Sequence, residues 1–129
     1  MGERMLANLN ALMEKHAVIG DVRGKGLFCG AELVADRKTK EPLDEKHVQA
    51  VVAECLGQGV IIGATNRSLH DGLNNTLCLP PALIATPEDI DRITDAIGNY
   101  VGAPSAEKPN PMEPVVALDV AVVQTRRRR

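Results

Sequence analysis

A chain of 129 residues holds one small domain around one core. Apolar residues make up 44%, with one Phe, one Tyr and no Trp, so the core is aliphatic and the chain offers no aromatic platform for stacking bases, which argues against single-strand or RNA recognition. The net charge of −2 hides an asymmetry: Arg126, Arg127, Arg128 and Arg129 supply four of the fifteen basic residues, and the body through Gly102 carries ten basic against fourteen acidic, a balance that does not seek phosphate backbones.

Cys29, Cys55 and Cys78 are odd in number and none belongs to a C-x-x-C pair, so neither a disulfide framework nor a zinc site is expected and a reduced, cytoplasmic setting fits. The N-terminus opens no signal peptide, and no apolar run approaches membrane-spanning length.

In chain order, Met5, Leu6, Leu9, Leu12 and Met13 recur at helical spacing over residues 1–16 and predict an amphipathic helix with no clear N-cap. Its stripe is expected to pack on polypeptide outside this chain, leaving apolar surface exposed. Residues 18–34 alternate glycine with β-formers and predict two strands, or one sharply bent near Gly24 and Gly26, where positive φ is expected. A phosphate cradle is the functional reading of those glycines, but no helix follows to aim its N-terminus at an anion. The bend is the reading taken.

Residues 35–43 form a charged surface loop without the D-x-D-x-D-G order of a calcium loop. Asp44 then caps a second helix carrying Val48, Val51, Val52, Cys55 and Leu56 on one face, ended by Gly57 or Gly59. Residues 60–62 follow as a uniformly apolar, buried strand. Residues 63–74 are a polar loop, the usual home of binding residues. Within it Arg67 has a guanidinium suited to a carboxylate, sulfonate or phosphate, whereas His70 and Asp71 read as a solvated pair with no nucleophile nearby.

Residues 75–79 predict a short strand, and Pro80 and Pro81 must end it, because neither can donate a ladder hydrogen bond. Thr86 then caps a helix over residues 87–101: Pro87 has the right φ for the first helical position, and Glu88 and Asp89 place negative charge at the positive end of the dipole. Beyond residue 102 a proline-rich stretch, an apolar run and four arginines read as a disordered tail, solubilising rather than nucleic-acid-binding. The expected fold is α/β (α+β): residues 1–102 form one domain, a small, mostly antiparallel sheet with helices on one face, and residues 103–129 are the tail.

These residues carry a resemblance. Ile19-Gly20-Asp21-Val22-Arg23-Gly24-Lys25-Gly26-Leu27-Phe28, then Ala31-Glu32-Leu33-Val34, the loop from Asp36, Gly59-Val60-Ile61-Ile62 and the Pro80-Pro81 corner together resemble the C-terminal small domain of class III pyridoxal-phosphate-dependent aminotransferases. Asn74-Asn75-Thr76-Leu77-Cys78-Leu79 is further similar to members acting on ω-amino acids or taurine with pyruvate. The resemblance implies amino-group transfer from an amine or amino acid to a 2-oxo acid, with pyridoxal 5'-phosphate in the full-length enzyme and none held by this chain alone. It places the cofactor-holding lysine, the aspartate on the pyridine nitrogen and the phosphate-binding groups before the point where this sequence starts.

This chain is then the substrate side, inactive alone, and expected to form a homo-oligomer or to need the missing large domain; no nucleic acid or membrane is implied. Family members place a carboxylate-binding arginine a few residues after the strand matching residues 60–62, and Arg67 is the candidate for substrate binding, while Arg23 matches a family arginine read as a structural ion pair or a ligand. The alternatives are a non-catalytic binding or regulatory module and a degenerate truncated product.

Overall fold

The computed structural model describes residues 1–65 and 75–102. In chain order they form α1 (Gly2–Lys15), β1 (Ile19–Lys25), β2 (Phe28–Asp36), β3 (Glu41–Pro42), α2 (Glu45–Gly57), β4 (Gly63–Ala64), β5 (Thr76–Leu79) and α3 (Pro87–Val101). The sheet runs β1-β2-β5-β4, with β3 on β2, and every pairing is antiparallel. This is the α/β architecture expected, three helices with a small antiparallel sheet.

Strand alternation sorts the residues between two faces. Ile19, Cys29, Ala31, Leu33, Leu77 and Leu79 are buried, and they join Met5, Leu9, Val48, Val51, Cys55, Ile90 and Ile97 from the helices in one aliphatic core. The intervening residues Arg23, Gly30, Glu32, Thr76 and Cys78 are half-buried or exposed, so the helices cover one face and leave the other open.

Three local devices shape the chain. Gly26, at φ +58, turns β1 into β2, and Gly24 has no room for a side chain, since a Cβ there would lie 2.7 Å from the Phe28 carbonyl oxygen. The glycine bend is therefore a hairpin. α2 is capped by Asp44, whose carboxylate accepts from the Lys46 amide at 2.9 Å, and ends at Gly59, φ +79, where the Val60 amide donates to Cys55 O and the Gly59 amide to Leu56 O. This pair of bonds around a left-handed glycine is a Schellman motif. α3 opens on a complete capping box: Thr86 Oγ1 accepts from the Asp89 amide at 3.2 Å and Asp89 Oδ2 from the Thr86 amide at 2.9 Å.

The structure corrects three expectations. The α1 stripe does not wait for polypeptide outside the chain: Met5 and Leu9 are fully buried against β1, β2 and α3 of the same chain, with Leu6, Leu12 and Met13 packed beside them. Residues 60–62 are not a strand. The Val60 amide is spent on the helix end, Ile61 is exposed, and pairing starts at Gly63, opposite Cys78. Residues 35–43 are more ordered than a loop: β2 continues to Asp36, whose carboxylate accepts from the Lys38 and Thr39 amides, and β3 returns to pair with it.

Candidate functional site

The segment carrying the sequence's best ligand candidate joins β4 to β5 in sequence. Its stems are pinned on both sides. The Thr65 amide donates to Thr76 O at 2.9 Å, and the Thr76 amide to Thr65 Oγ1 at 3.4 Å. Asn75 is buried and locked to β2: its Nδ2 donates to Leu33 O at 2.7 Å, while its own carbonyl accepts from the Leu33 amide at 2.7 Å. A side-chain amide here continues the ladder one residue beyond β5, which stiffens the place where the loop re-enters. Arg67 comes two residues after Thr65 and, with His70 and Asp71, lies outside the described residues.

Sequence reasoning missed both pins. By spacing, Thr65 falls in the polar stretch of residues 63–74 and Asn75 at the start of the expected strand. The available signal was a side chain able to mimic a backbone group at each strand end.

Beside these stems, on the open face, Arg23 is committed to its neighbours. Its Nη1 donates to Asp21 Oδ2 at 2.6 Å and to Glu32 Oε2 at 3.1 Å, and these two carboxylates hold its pKa above the ordinary value. The ion-pair reading of Arg23 is the one the structure supports. Because the cluster is about half exposed, it orients charge more than it stabilises the fold.

Arg37 does comparable work at the other end of β2, donating from Nη2 to the carbonyls of Met13, His16 and Ile19 at 2.6, 3.1 and 2.8 Å. It ties the last turn of α1 to the start of β1. Nothing in the spacing of the sequence foretold it.

On the helix side, an open cleft of about 320 Å³ lies between the end of α2 and α3. Of its polar lining, Asp91, Gln58 and Asn99 are spent on each other and on the fold. Asp91 accepts from Arg4 Nε and Nη2 at 2.8 and 2.6 Å and from Asn8 Nδ2 at 2.9 Å, contacts that hold its carboxyl down at about 2, Arg4 contributing most. Gln58 donates to Ala96 O and accepts from Asn99 Nδ2.

Pyridoxal phosphate, the cofactor implied by the resemblance, needs a desolvated amine to hold its aldehyde. Lys15, Lys25, Lys38, Lys40 and Lys46 are all exposed; Lys108 lies outside the described residues. Among the described residues none fits the anchor, and no group of His, Cys, Asp and Glu there is placed to hold a metal. The two buried thiols are no better placed for nucleophilic work, since burial raises the pKa of Cys29 and pushes that of Cys55 up to about 11.

Comparisons with known proteins give the family. The family model described as aminotransferase class-III matches residues 1–101. The hypotaurine/taurine–pyruvate aminotransferase of Paracoccus denitrificans (strain Pd 1222) is 84% identical over 99 residues, 77% of this chain and 21% of that protein. The taurine–pyruvate aminotransferase of Bilophila wadsworthia is 56% identical over 97 residues, 75% of this chain and 21% of that protein. Among solved structures, a Bacillus anthracis aminotransferase superposes with a TM-score of 0.74 at 38% identity, over 79% of this chain and 22% of that one. The chain thus spans about a fifth of the length of the relatives it matches. Whatever the whole relatives do, this chain belongs to the class III aminotransferase family.

Proposed function

We propose that this chain is the C-terminal, substrate-side portion of a pyridoxal-phosphate-dependent aminotransferase that moves the amino group of taurine or a related ω-amino acid to a 2-oxo acid such as pyruvate. The observation that carries this reading is the 84% identity to the Paracoccus hypotaurine/taurine–pyruvate aminotransferase across nearly the whole of the matched domain. Class III aminotransferases depend on pyridoxal phosphate, which supplies the electron sink for moving the amino group. This chain's own share is recognition and support.

Arg67 is the residue assigned to the substrate's acid group, because a guanidinium offers paired donors to a carboxylate or a sulfonate, and the stems at Thr65 and Asn75 hold the ends of its segment in place. The chain works in the cytoplasm, a setting supported by its three unpaired thiols, and as part of a larger assembly or oligomer. No helix among the described residues is long and apolar enough to cross a membrane.

The test is a hybrid enzyme, the Paracoccus protein with its matched stretch replaced by residues 1–101 of this chain, alongside the 129-residue chain alone. With pyridoxal phosphate, taurine and pyruvate, the hybrid is expected to form alanine and the chain alone none. Arg67→Ala in the hybrid is expected to lower kcat/KM for taurine by about 10-fold to 100-fold, the size of one lost charge-assisted contact. A hybrid indifferent to Arg67, or a chain that forms alanine by itself, overturns the assignment.

A further inference from the structure

Charge is unevenly shared within the domain. α2 and its cap carry Asp44, Glu45 and Glu54 against Lys46, and α3 carries Glu88, Asp89, Asp91 and Asp95 against Arg92. The described residues outside these two helices hold six acidic and seven basic side chains, so the negative charge is concentrated where α2 meets α3. The open cleft lies there. Asp91 is taken by Arg4 and Asn8, whereas Glu88 and Asp95, on the exposed ridge of α3, make no hydrogen bond or close ion pair among the described residues. Neither helix has a basic residue in its last turn, and the C-terminal end of α2, the negative end of its dipole, forms one wall of the cleft through Gln58 and Val60. Glu54 stands one turn before Gln58 and close to the end of α3: burial raises the pKa of Tyr100, and the Glu54 charge adds to that rise. Arg92 answers one of these negative charges and leaves the others for a cation from elsewhere.

We infer that this cleft seats the chain's own arginine run, Arg126 to Arg129, which lies outside the described residues. Charge selects the occupant: the body through Gly102 carries four more acidic than basic residues, and the run supplies four positive charges whose guanidinium forks suit carboxylates. Tethering does the rest. The chain leaves α3 at Gly102, and at about 1.5 Å per helical residue Asp95 lies about 10 Å and Glu88 about 21 Å back along the helix. Arg126 follows Gly102 by 24 positions, a length that covers either distance several times over when extended, and a group tethered in this way meets its site at an effective concentration on the order of millimolar. Seated there, the run closes the cleft to outside cations and basic surfaces, and salt releases it. The family model matches residues 1–101, so this contact lies beyond the matched stretch and does not depend on the reaction proposed above.

The run is a row of trypsin sites, which makes its seating measurable. Cleavage after Arg126 in the 129-residue chain, followed by mass spectrometry at early times, tracks the fraction of molecules with the run free. At about 20 mM salt it is expected to be about 5-fold slower in the unmodified chain than in a variant carrying Glu88→Gln and Asp95→Asn, and at about 500 mM salt the two are expected to be equal. Glu14→Gln with Glu41→Gln, the same change of charge outside the cleft, is expected to leave the protection in place. A second measurement needs no change in the cleft: replacing the four arginines by serine is expected to shift the backbone amide resonances of α3 and of the end of α2 at low salt, and to leave those of β1 and β2 where they were.

Equal cleavage of the unmodified chain and the Glu88→Gln, Asp95→Asn variant at low salt overturns the proposal, as do α3 amides that ignore the loss of the arginines. Protection that grows with protein concentration also overturns it, since the cleft then takes the run of a second copy. Protection lost equally in the Glu14→Gln, Glu41→Gln variant reduces the effect to net charge and leaves the cleft no part in it.

Discussion

The two faces of the sheet are built from the same strands, residue by alternate residue, and they follow opposite rules. On the helix side Ile19, Ala31, Leu33 and Leu77 are wholly buried in one core cluster with Met5, Leu9, Ile90 and Ile97 of the helices. On the other side stand Phe28, Gly30, Cys78 and Arg23, a mixture with no core of its own. Period-two alternation commits one face to the core and leaves the other outside it. Substitutions on the two faces are therefore expected to cost stability very differently, one residue apart along each strand.

Substitutions that truncate side chains test that separation most sharply. Leu77→Ala is expected to lower unfolding free energy by about 3 kcal/mol, within the usual range for emptying a packed leucine site. Ile61→Ala, on the open side, is expected to change it by less than about 0.5 kcal/mol. Urea denaturation followed by circular dichroism gives both numbers, and similar losses at the two positions erase the distinction between the faces.

A smaller effect is expected at the start of α3, where Thr86→Ala removes the acceptor for the Asp89 amide and lowers stability by about 1 kcal/mol. The same denaturation measurement reads it, and Thr86→Ser, which keeps the acceptor, is expected to recover most of the loss.

The smallest effect is pH-dependent and belongs to the helix side alone. Asp91 is held at about 2 by Arg4 and Asn8, against an ordinary value of 3.8. Its folded pKa lies below its unfolded one, so the stabilisation it brings is fully present above about pH 4 and is lost as pH falls toward about 2. Both partners are largely exposed, which keeps the contribution small. Asp91→Asn is expected to flatten that part of the Tm profile at low salt. An unchanged profile removes the Arg4 contact from the account of how α1 is held to α3.

Much of the fold was legible because its signals are short-range. Asp44 before α2 and Thr86-Pro87 before α3 satisfy amides within three residues of themselves, and Gly26 and Gly59 adopt a backbone conformation that other residues resist. Pro80 and Pro81 stop β5 at Leu79 for the equally local reason that neither has an N–H. Of the candidate site the sequence offers Arg67, which lies outside the described residues, and nothing of the contacts at the ends of its segment. Thr65 and Asn75 act through partners eleven and forty-two positions away, and no pattern in a window of ten residues encodes such a pairing.

By itself, then, the chain's order of residues decided where helices and turns begin and end and which face of each helix is apolar, since those depend on sterics and hydrogen bonds within a turn or two. Only the tertiary structure decided what those faces meet. It placed β5 between β2 and β4, gave the α1 stripe a home against β1 and α3, spent the Val60 amide on a helix end instead of a strand, and brought Arg4 to Asp91 across 87 positions. Each of these is a competition among many apolar or charged candidates of similar local merit, and it is settled by which long-range packing buries the most surface while leaving the fewest polar groups unpaired.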